Sequence, residues 1–474
     1  MVLLRLVNYV VEDLLERIVE EGLKLGAEFV EARYQDLYST SITVSNERIE
    51  SIVIRKEEGI GVRVLANGAF AFFSSATLEW DNIKNMLEES IRSAKVIGEY
   101  KKDKVKLAEV ESVKVEAFKK PSKSPIDVEL EYKRDLCMKT CKMMRKLDKR
   151  IVNATVALRD YLDFRITCTS DGVLVKTLVP RAVLSLSAVA FEAGKLGSYR
   201  RGEGASLGYE YIDRLDLENF TKMVVEKAVT MLSAKPAPLG RFTVITDPDL
   251  TGVFIHEAFG HACEGDTVLA GGSILKDKLG EKVGSELVTV YDDPTLKDSW
   301  GFFEYDDEGV KAKKKILVDK GVLVSFITNR EAAAKLGLEP NGGARAQDYM
   351  HPPIVRMSNT YIAPGDWSFE EMVSEVKYGV LLCGSRGGQV DTAKGTFQFN
   401  AQEAYLIEKG EITKPLRDVS LSGFTLEVLS KVDAVSKDFS IRPGTCGKGG
   451  QGVPAGTGGP YLRIHDIVVG GRKR

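Results

Sequence analysis

The chain has 474 residues, of which 43% are hydrophobic and 28% are charged, the usual balance of a soluble globular protein. Its 66 basic and 68 acidic residues leave a formal net charge of -2, which argues against nucleic acid or an anionic membrane as the main partner. Six scattered cysteines exclude a disulfide framework, and no uncharged apolar stretch is long enough to span a membrane.

The first hundred residues predict a helix–antiparallel sheet–helix segment. Residues 1–11 are apolar, but they run into acidic residues without a cleavage site, so they open an amphipathic helix and not a signal peptide. We therefore expect a cytoplasmic protein. Short strands follow between residues 29 and 74, with Asn67-Gly68 as a hairpin turn. A helix over residues 78–96, capped by Ser75 or Thr77, closes the segment.

The next part of the chain repeats this plan after a linker. Residues 101–125 are rich in charge and contain two prolines, which is typical of a linker, and one edge strand within it is the alternative. In residues 126–235, a helix over 127–147 precedes alternating strands and a closing helix over 217–232. The sequence thus predicts a second helix–sheet–helix segment.

Residues 236–474 predict a larger β-rich domain. A strand over residues 241–246 leads into a helix, and mainly strand-like runs follow, the one at 424–432 with a helix as the alternative. Residues 442–459 are so rich in glycine that they predict a loop before a last strand at 461–469. The whole chain therefore predicts an α+β fold.

Two of the four histidines stand close together on the predicted helix of this domain. His256 is followed at once by Glu257, and His261 lies five residues further on. Two imidazoles about one turn apart are a usual way for a helix to offer nitrogen ligands to Zn²⁺, and an adjacent glutamate can deprotonate water at the ion. The alternative is that His256 is a core residue and His261 a surface residue.

The spacing of the two histidines predicts a distorted helix. Residues at i and i+4 lie about 40° apart around an α-helix, whereas i and i+5 lie about 140° apart. His256 and His261 can hold one ion only if the helix ends, kinks or widens into a π-type turn between them. Gly260 supplies the expected flexibility, and Gly265 predicts the end of the helix.

A catalytic zinc site needs a third protein ligand beside an open position, and the residues leave several candidates. A thiol in a glycine-rich loop has no core to fill, so packing does not explain Cys446, whereas Cys137 and Cys141 fit the core face of a helix. The same loop lacks the spacing of a phosphate-binding loop. The candidate third ligands are Cys263, Glu264, His351, Cys446 and His465.

The chain resembles the TldD-like, metal-binding branch of the TldD/PmbA family of zinc metallopeptidases. The resemblance implies that His256, His261 and Cys446 bind one zinc ion and that Glu257 is the catalytic carboxylate. It also implies a dimer, including a heterodimer with a PmbA-like chain that lacks the metal motif, and small or unfolded peptides as substrates. The stretches that carry it are residues 256–266, 356–362, 387–391, 403–408, 413–415 and 444–451.

The hypothesis is a peptidase in which Glu257 takes a proton from water at the zinc ion and returns it to the leaving amine. Glu264 is a candidate acceptor for the N–H of a ligand imidazole, and His351, Tyr349 and Arg345 are candidates for stabilising the oxyanion. Two alternatives stay open. One is a non-haem iron enzyme that uses both histidines and a carboxylate; the other is a non-catalytic scaffold that binds peptides by strand addition.

Overall fold

The computed structural model describes residues 2–471, and the side chains of residues 10–471. Met1 and residues 472–474, which belong to the first predicted segment and to the predicted C-terminal domain, lie outside the described residues. Long strands and shorter helices alternate along the chain, and most strand pairs are antiparallel. The predicted α+β class is confirmed.

The N-terminal half forms a seven-stranded sheet whose order is β3-β2-β1-β5-β6-β4, with β7 pairing β6 as well. Its elements are α1 (Val2–Lys24), β1 (Phe29–Ser45), β2 (Arg48–Ala66), β3 (Ala69–Ser75), α2 (Trp80–Tyr100), β4 (Lys114–Phe118), α3 (Leu130–Leu147), β5 (Ile151–Thr169), β6 (Leu174–Glu192), β7 (Lys195–Ala205), α4 (Glu210–Asp213) and α5 (Leu217–Thr230).

The two helix–sheet–helix segments share this sheet, because β1 pairs antiparallel with β5 from Glu31↔Thr169 to Ser45↔Thr155. Helices α1 and α2 bury one core against β1, β2 and the end of β5, whereas α3 and α5 bury a second core against β5 and β6. The sequence predicts short strands between residues 29 and 74, but β1 and β2 are long strands of 17 and 19 residues. Between the segments, β4 pairs parallel with β6 at the edge of the sheet.

The C-terminal half forms a twelve-stranded sheet with β21 near its middle, and a separate two-stranded sheet of β13 and β14. Its elements are β8 (Lys235–Pro236), β9 (Gly240–Thr246), α6 (Pro248–Phe254), α7 (Gly265–Leu269), β10 (Val290–Asp292), β11 (Lys315–Asp319), β12 (Val322–Leu323), α8 (Arg330–Leu336), β13 (Ala344–Arg345), β14 (Ile354–Val355), β15 (Asn359–Ile362), α9 (Phe369–Ser374), β16 (Tyr378–Asp391), β17 (Thr396–Glu408), β18 (Glu411–Arg417), β19 (Val419–Phe424), α10 (Thr425–Ser430), β20 (Val432–Lys448) and β21 (Gln451–Gly471).

Two sequence-based predictions in this half are wrong. The run at 424–432 is not a strand, because the short helix α10 occupies most of it, as its alternative allowed. The glycine-rich stretch 442–459 is not a loop: β20 and β21 pair along it and turn at Gly449 and Gly450, both with positive φ. Three of its other glycines, Gly456, Gly458 and Gly459, lie where the backbone meets close neighbours; a Cβ on Gly456, for example, would lie 2.3 Å from Oδ1 of Asn359.

Helix α6 crosses β21 at very short range. A Cβ added to Gly252 would lie 2.2 Å from the backbone nitrogen of Gly458, and a Cβ added to Gly459 would lie 2.8 Å from Cγ2 of Thr251. Neither backbone can move away without disturbing the sheet. Glycine at these positions therefore sets the distance between the helix and the β20–β21 hairpin.

Over residues 2–471, no helix is both long and apolar enough to cross a lipid bilayer.

Replacing Gly252 by alanine tests the close approach of α6 to β21. Alanine favours a helix by about 1 kcal/mol over glycine, but its Cβ would overlap the backbone of Gly458, so we expect a net loss of about 1–3 kcal/mol of unfolding free energy. The control is Gly447→Ala, because a Cβ at that position would have nothing within 4 Å. Calorimetric melting measures the stability of both variants. A Gly252→Ala protein as stable as wild type would contradict the contact.

Candidate metal centre

The helix that carries the two histidines begins at a fixed point on the sheet. Asp247 follows β9, and its Oδ1 accepts the N–H of Leu250 at 2.8 Å and the N–H of Gly384 on β16 at 2.9 Å. Pro248 occupies the first position of the helix, where its missing N–H costs nothing. The cap therefore ties the start of α6 to two neighbouring strands.

The expected distortion of the helix is confirmed. After α6 the backbone widens into a π-helical turn over Ile255–Gly260 and then tightens into a 3-10 turn over His261–Cys263. The wider turn brings side chains at i and i+5 to the same side. Gly260 is not the flexible point that the sequence predicts, because its φ is an ordinary helical -58°. It is glycine because a Cβ there would lie 2.2 Å from Sδ of Met357.

Three side chains with metal-ligand atoms converge at this turn. One ligand atom from each of His256, His261 and Cys446 lies within 4.8 Å of the other two, and Sγ of Cys446 is 3.6 Å from Nε2 of His261. The two rings stand nearly perpendicular, with centroids 5.3 Å apart. Cys446 reaches them from β20, across the hairpin that packs on α6.

These residues fit a bound metal ion. Nδ1 of His256 is buried and has no hydrogen-bond partner among the described residues, which is costly unless the ring has another role. Imidazole nitrogen and thiolate sulfur are both ligands of zinc, and three protein ligands leave the fourth position of a tetrahedral site open. Of the five candidates for a third ligand, Cys446 is the one that the fold brings to both rings.

The charged groups around Cys446 favour its thiolate form over its thiol form. Burial alone would raise the pKa of the Cys446 thiol, but the charges and hydrogen bonds of His256 and His261 lower it to about 5. Burial would likewise disfavour protonation of His261, yet its hydrogen bonds to Cys446 and Glu264 raise its pKa to about 10. In the absence of a metal ion, Cys446 and His261 thus form a thiolate–imidazolium pair at neutral pH.

Glu264 orients the second imidazole from behind. Its Oε2 lies 2.9 Å from Nδ1 of His261 and 3.1 Å from Nζ of Lys448, and the carboxylate is fully buried. Burial would raise its pKa, but His261 and Lys448 hold the pKa below its usual range. Lys448 is itself held by Asp266, at 2.6 Å. Because Nδ1 faces Glu264, Nε2 of His261 is directed at Cys446.

Glu257 stands at the open side of the cluster. Its Oε2 lies 3.9 Å from Nε2 of His261, and 41% of its side chain is exposed. It is therefore close to the ligand atoms and also accessible from solvent, as a proton acceptor for a substrate reaction must be.

The remaining candidates lie elsewhere. Cys263 is buried in the core of the C-terminal half. His351 pairs with Asp348 at 2.6 Å through Nδ1, and His465 lies between Thr243 and Asp433 on the surface. None of the three histidine or cysteine side chains joins the cluster. The predicted core positions of Cys137 and Cys141 agree with their burial.

Sequence reasoning missed a buried arginine that holds the hairpin in place. The guanidinium of Arg356 is fully buried and donates to the carbonyl oxygens of Cys446 and Gln451. Its neighbour Arg345 donates to the carbonyl of Met357 at 2.7 Å, and burial together with the charges of nearby arginines lowers its pKa to about 9. The sequence does contain a sign of this role, because Arg356 lies inside the apolar, strand-like run 354–357. A charged residue in such a run indicates a buried side chain with specific partners.

The chain matches three domains of one protein family. The "PmbA/TldA metallopeptidase C-terminal domain" matches residues 239–471, the central domain of the same family matches residues 123–232, and its domain 1 matches residues 30–94. Together they cover both helix–sheet–helix segments and the half that carries the metal-ligand cluster.

Similar proteins cover almost the whole chain. A metalloprotease of Methanocaldococcus jannaschii is 42% identical over 94% of this chain and 97% of its own length. A zinc metalloprotease TldD homolog of Saccharolobus solfataricus is 28% identical over 96% of this chain and 99% of its own. The crystal structure of TldE from Thermococcus kodakarensis covers 97% of this chain and 100% of that chain, with a TM-score of 0.77 and 19% identity, and shares its fold.

Removing the thiol tests the ligand set. Cys446→Ala should lower zinc affinity at least about tenfold, because one of three ligands is lost and water must replace it. Cys383→Ala, which removes a half-buried thiol that lies outside the cluster, should keep full zinc content by elemental analysis. Equal zinc content in both variants would contradict ligation by Cys446.

Zinc affinity should also fall as the pH is lowered. At neutral pH the raised pKa of His261 leaves it protonated in the metal-free protein, so an incoming ion must displace that proton, whereas Cys446 is already a thiolate. Affinity should therefore drop about tenfold per pH unit between pH 8 and 6, with about one proton released from His261 per ion. Competition with a chelator measures the affinity. Calorimetry in buffers of different ionisation enthalpy measures the number of protons released. A pH-independent affinity would contradict the ion pair.

Proposed function

The chain belongs to the TldD/PmbA family of metallopeptidases, and on that premise we propose that it is a zinc-dependent peptidase that hydrolyses short or unfolded peptides. The observation that carries the proposal is the convergence of His256, His261 and Cys446 beside the half-buried carboxylate of Glu257. Three ligands and an adjacent base are the equipment of a hydrolytic zinc site.

Zinc is the metal that this ligand set favours. Imidazole nitrogen and thiolate sulfur together suit a borderline-soft ion without redox chemistry. The iron alternative requires a carboxylate ligand beside the histidines, and Glu264 is instead engaged with Nδ1 of His261 and with Lys448. The relative from Saccharolobus solfataricus that is named a zinc metalloprotease agrees with this choice.

A zinc ion held by His256, His261 and Cys446 would supply Lewis acidity that polarises water and the peptide carbonyl. Glu257 accepts a proton from the attacking water and returns it to the leaving amine. Glu264 keeps Nε2 of His261 directed into the cluster, and Lys448 balances the buried charge of Glu264. Arg356 keeps the backbone at Cys446 in position through its carbonyl oxygen.

The strand that carries Cys446 supports an extended peptide as substrate. Among the described strands, β20 pairs only with β21, so the other edge of β20 is unpaired beside the cluster. Main-chain donors and acceptors on a free strand edge recognise an extended peptide through its backbone, largely independently of its sequence. Short or unfolded peptides present an extended backbone readily, whereas most strands of a folded protein are already paired with their neighbours, which favours short or unfolded peptides.

The experiment that tests the function is cleavage of a random pool of unfolded peptides followed by mass spectrometry. Protein stripped of metal should leave the pool intact, and reloading with zinc should restore cleavage. Peptide binding that survives stripping without any cleavage after reloading would favour the scaffold. Restoration by iron(II) and not by zinc would favour the iron enzyme.

Glu257→Gln should separate metal binding from catalysis. The amide keeps the size of the side chain but cannot accept the proton, so kcat/KM should fall by about 10²–10⁴ while zinc content stays at the wild-type level. The matched control is Glu286→Gln, which alters an exposed glutamate paired with Lys282 on the surface. Undiminished cleavage by Glu257→Gln in a preparation free of other peptidases would reject Glu257 as the base.

A further inference from the structure

The described part of the chain contains nine buried lysines and arginines, and most of them pair with a carboxylate. Six have a carboxylate oxygen within 3.3 Å: Arg33, Arg63, Lys133, Lys315, Arg330 and Arg463. The other three, Arg181, Arg345 and Arg356, have no carboxylate partner among residues 10–471. A buried charge without a counter-charge is strongly destabilising, so these three arginines need a further explanation.

The three arginines without a counter-charge are neighbours. Arg181 on β6 and Arg345 on β13 line one cavity of about 60 Å³, which lies between the N-terminal sheet and the C-terminal half. Burial, and then the positive charges of Arg181 and Arg356, lower the pKa of Arg345 to about 9. Burial likewise lowers the pKa of Arg181 to about 10. Positive charge therefore accumulates at one place in the interior.

Backbone carbonyl oxygens accept only part of the hydrogen bonds that the two arginines of the cavity can donate. Arg181 donates to the carbonyl oxygens of Trp300 and Phe302, each at 3.0 Å. Within the described residues, Arg345 donates only through Nη1, to the carbonyl of Met357. A guanidinium carries five N–H donors. Four of the five N–H groups of Arg345 therefore have no protein acceptor, although the side chain is only 6% exposed.

The carboxylates that line the cavity are engaged elsewhere. They are Asp163, Asp306 and Asp307. Asp163 and Asp307 both pair with Arg165, at 3.0 Å and 2.9 Å. Asp306 accepts three backbone N–H groups, and burial raises its pKa well above the usual range. With Asp306 protonated, three guanidiniums face two carboxylates, which leaves one positive charge at the cavity without compensation.

The size and charge of the cavity select the kind of ligand. Its volume of about 60 Å³ is several times the roughly 10–15 Å³ that one water molecule needs, so it holds a small ion but not the end of a peptide chain. One uncompensated positive charge calls for one negative charge. N–H groups of buried guanidiniums form strong, charge-assisted hydrogen bonds to an anion. A compact monovalent anion meets these three conditions.

We propose that this cavity binds a chloride-sized monovalent anion, held between Arg181 of the N-terminal sheet and Arg345 of the C-terminal half. The ion links the two halves beside the metal-binding hairpin, because Val453, which lies directly opposite Cys446 in the β20–β21 register, also lines the cavity. The anion site does not depend on the function proposed for the metal centre.

Thermal unfolding of the full-length, zinc-loaded protein tests the site in solution. Sodium chloride is compared at equal ionic strength with sodium gluconate, whose carbon chain is too long for the cavity. The Tm of wild type should be about 1–3 °C higher in chloride, because the ion binds the folded state only. Arg345→Met and Arg181→Met should each lose this difference. Arg92→Met, which removes an exposed arginine of α2, should keep it.

The comparison of salts separates an anion site from a purely structural role. If Arg345 only held the carbonyl of Met357, its replacement would lower the Tm equally in chloride and in gluconate, and the proposal would be wrong.

Crystals of wild type grown in sodium bromide locate the ion even if the variants fail to fold. An anomalous difference peak should lie within hydrogen-bond distance of the guanidiniums of Arg181 and Arg345. Bromide bound elsewhere but not in this cavity would overturn the proposal. A peak in the cavity without any chloride-specific rise of the Tm would indicate an adventitious ion only and would overturn it as well.

Discussion

The metal-ligand cluster depends on how closely helix α6 packs on the β20–β21 hairpin. Gly252 and Gly458 leave no room for a Cβ between the two backbones, and about two turns further on Gly260 leaves none beside the side-chain sulfur of Met357. Cys446 lies almost 200 residues after the histidines, so the helix alone cannot bring it to them. The backbone contact does, and a single methyl group in it would move the sulfur relative to both rings.

Close packing of this kind leaves charges without water, and the fold compensates each one with a specific partner. The thiolate of Cys446 faces two imidazoles, and the carboxylate of Glu264 faces His261 and Lys448. The guanidinium of Arg356 donates hydrogen bonds to backbone carbonyl oxygens. An unpaired buried charge would cost several kcal/mol. The buried site can therefore exist only because these polar side chains surround the hairpin. One of them, Glu264, also fixes the orientation of the His261 ring.

The sequence predicts a structural feature correctly where neighbouring residues determine it. It fails where the feature depends on residues far away along the chain. The i, i+5 spacing of His256 and His261 predicts a widened helical turn because helical geometry alone demands it. The glycine-rich stretch 442–459 predicts a loop but forms the β20–β21 hairpin, because glycine can serve two purposes: a positive φ in a turn, as at Gly449, or a close contact, as at Gly456 beside Asn359. Only the folded chain shows which neighbour a strand glycine accommodates.

Strands β1 and β2 of the N-terminal sheet reach towards the metal centre. Gly61 of β2 lies so close to the carbonyl of Tyr349 that a Cβ would be 2.2 Å from its oxygen. The same loop joins the hairpin, because Oε1 of Gln347 accepts the N–H of Gly452 at 2.7 Å. β1 and β2 are paired from Phe29↔Leu65 to Ser45↔Arg48, with one β-bulge at Glu50. The N-terminal sheet therefore supports the loop that braces the cysteine-bearing hairpin.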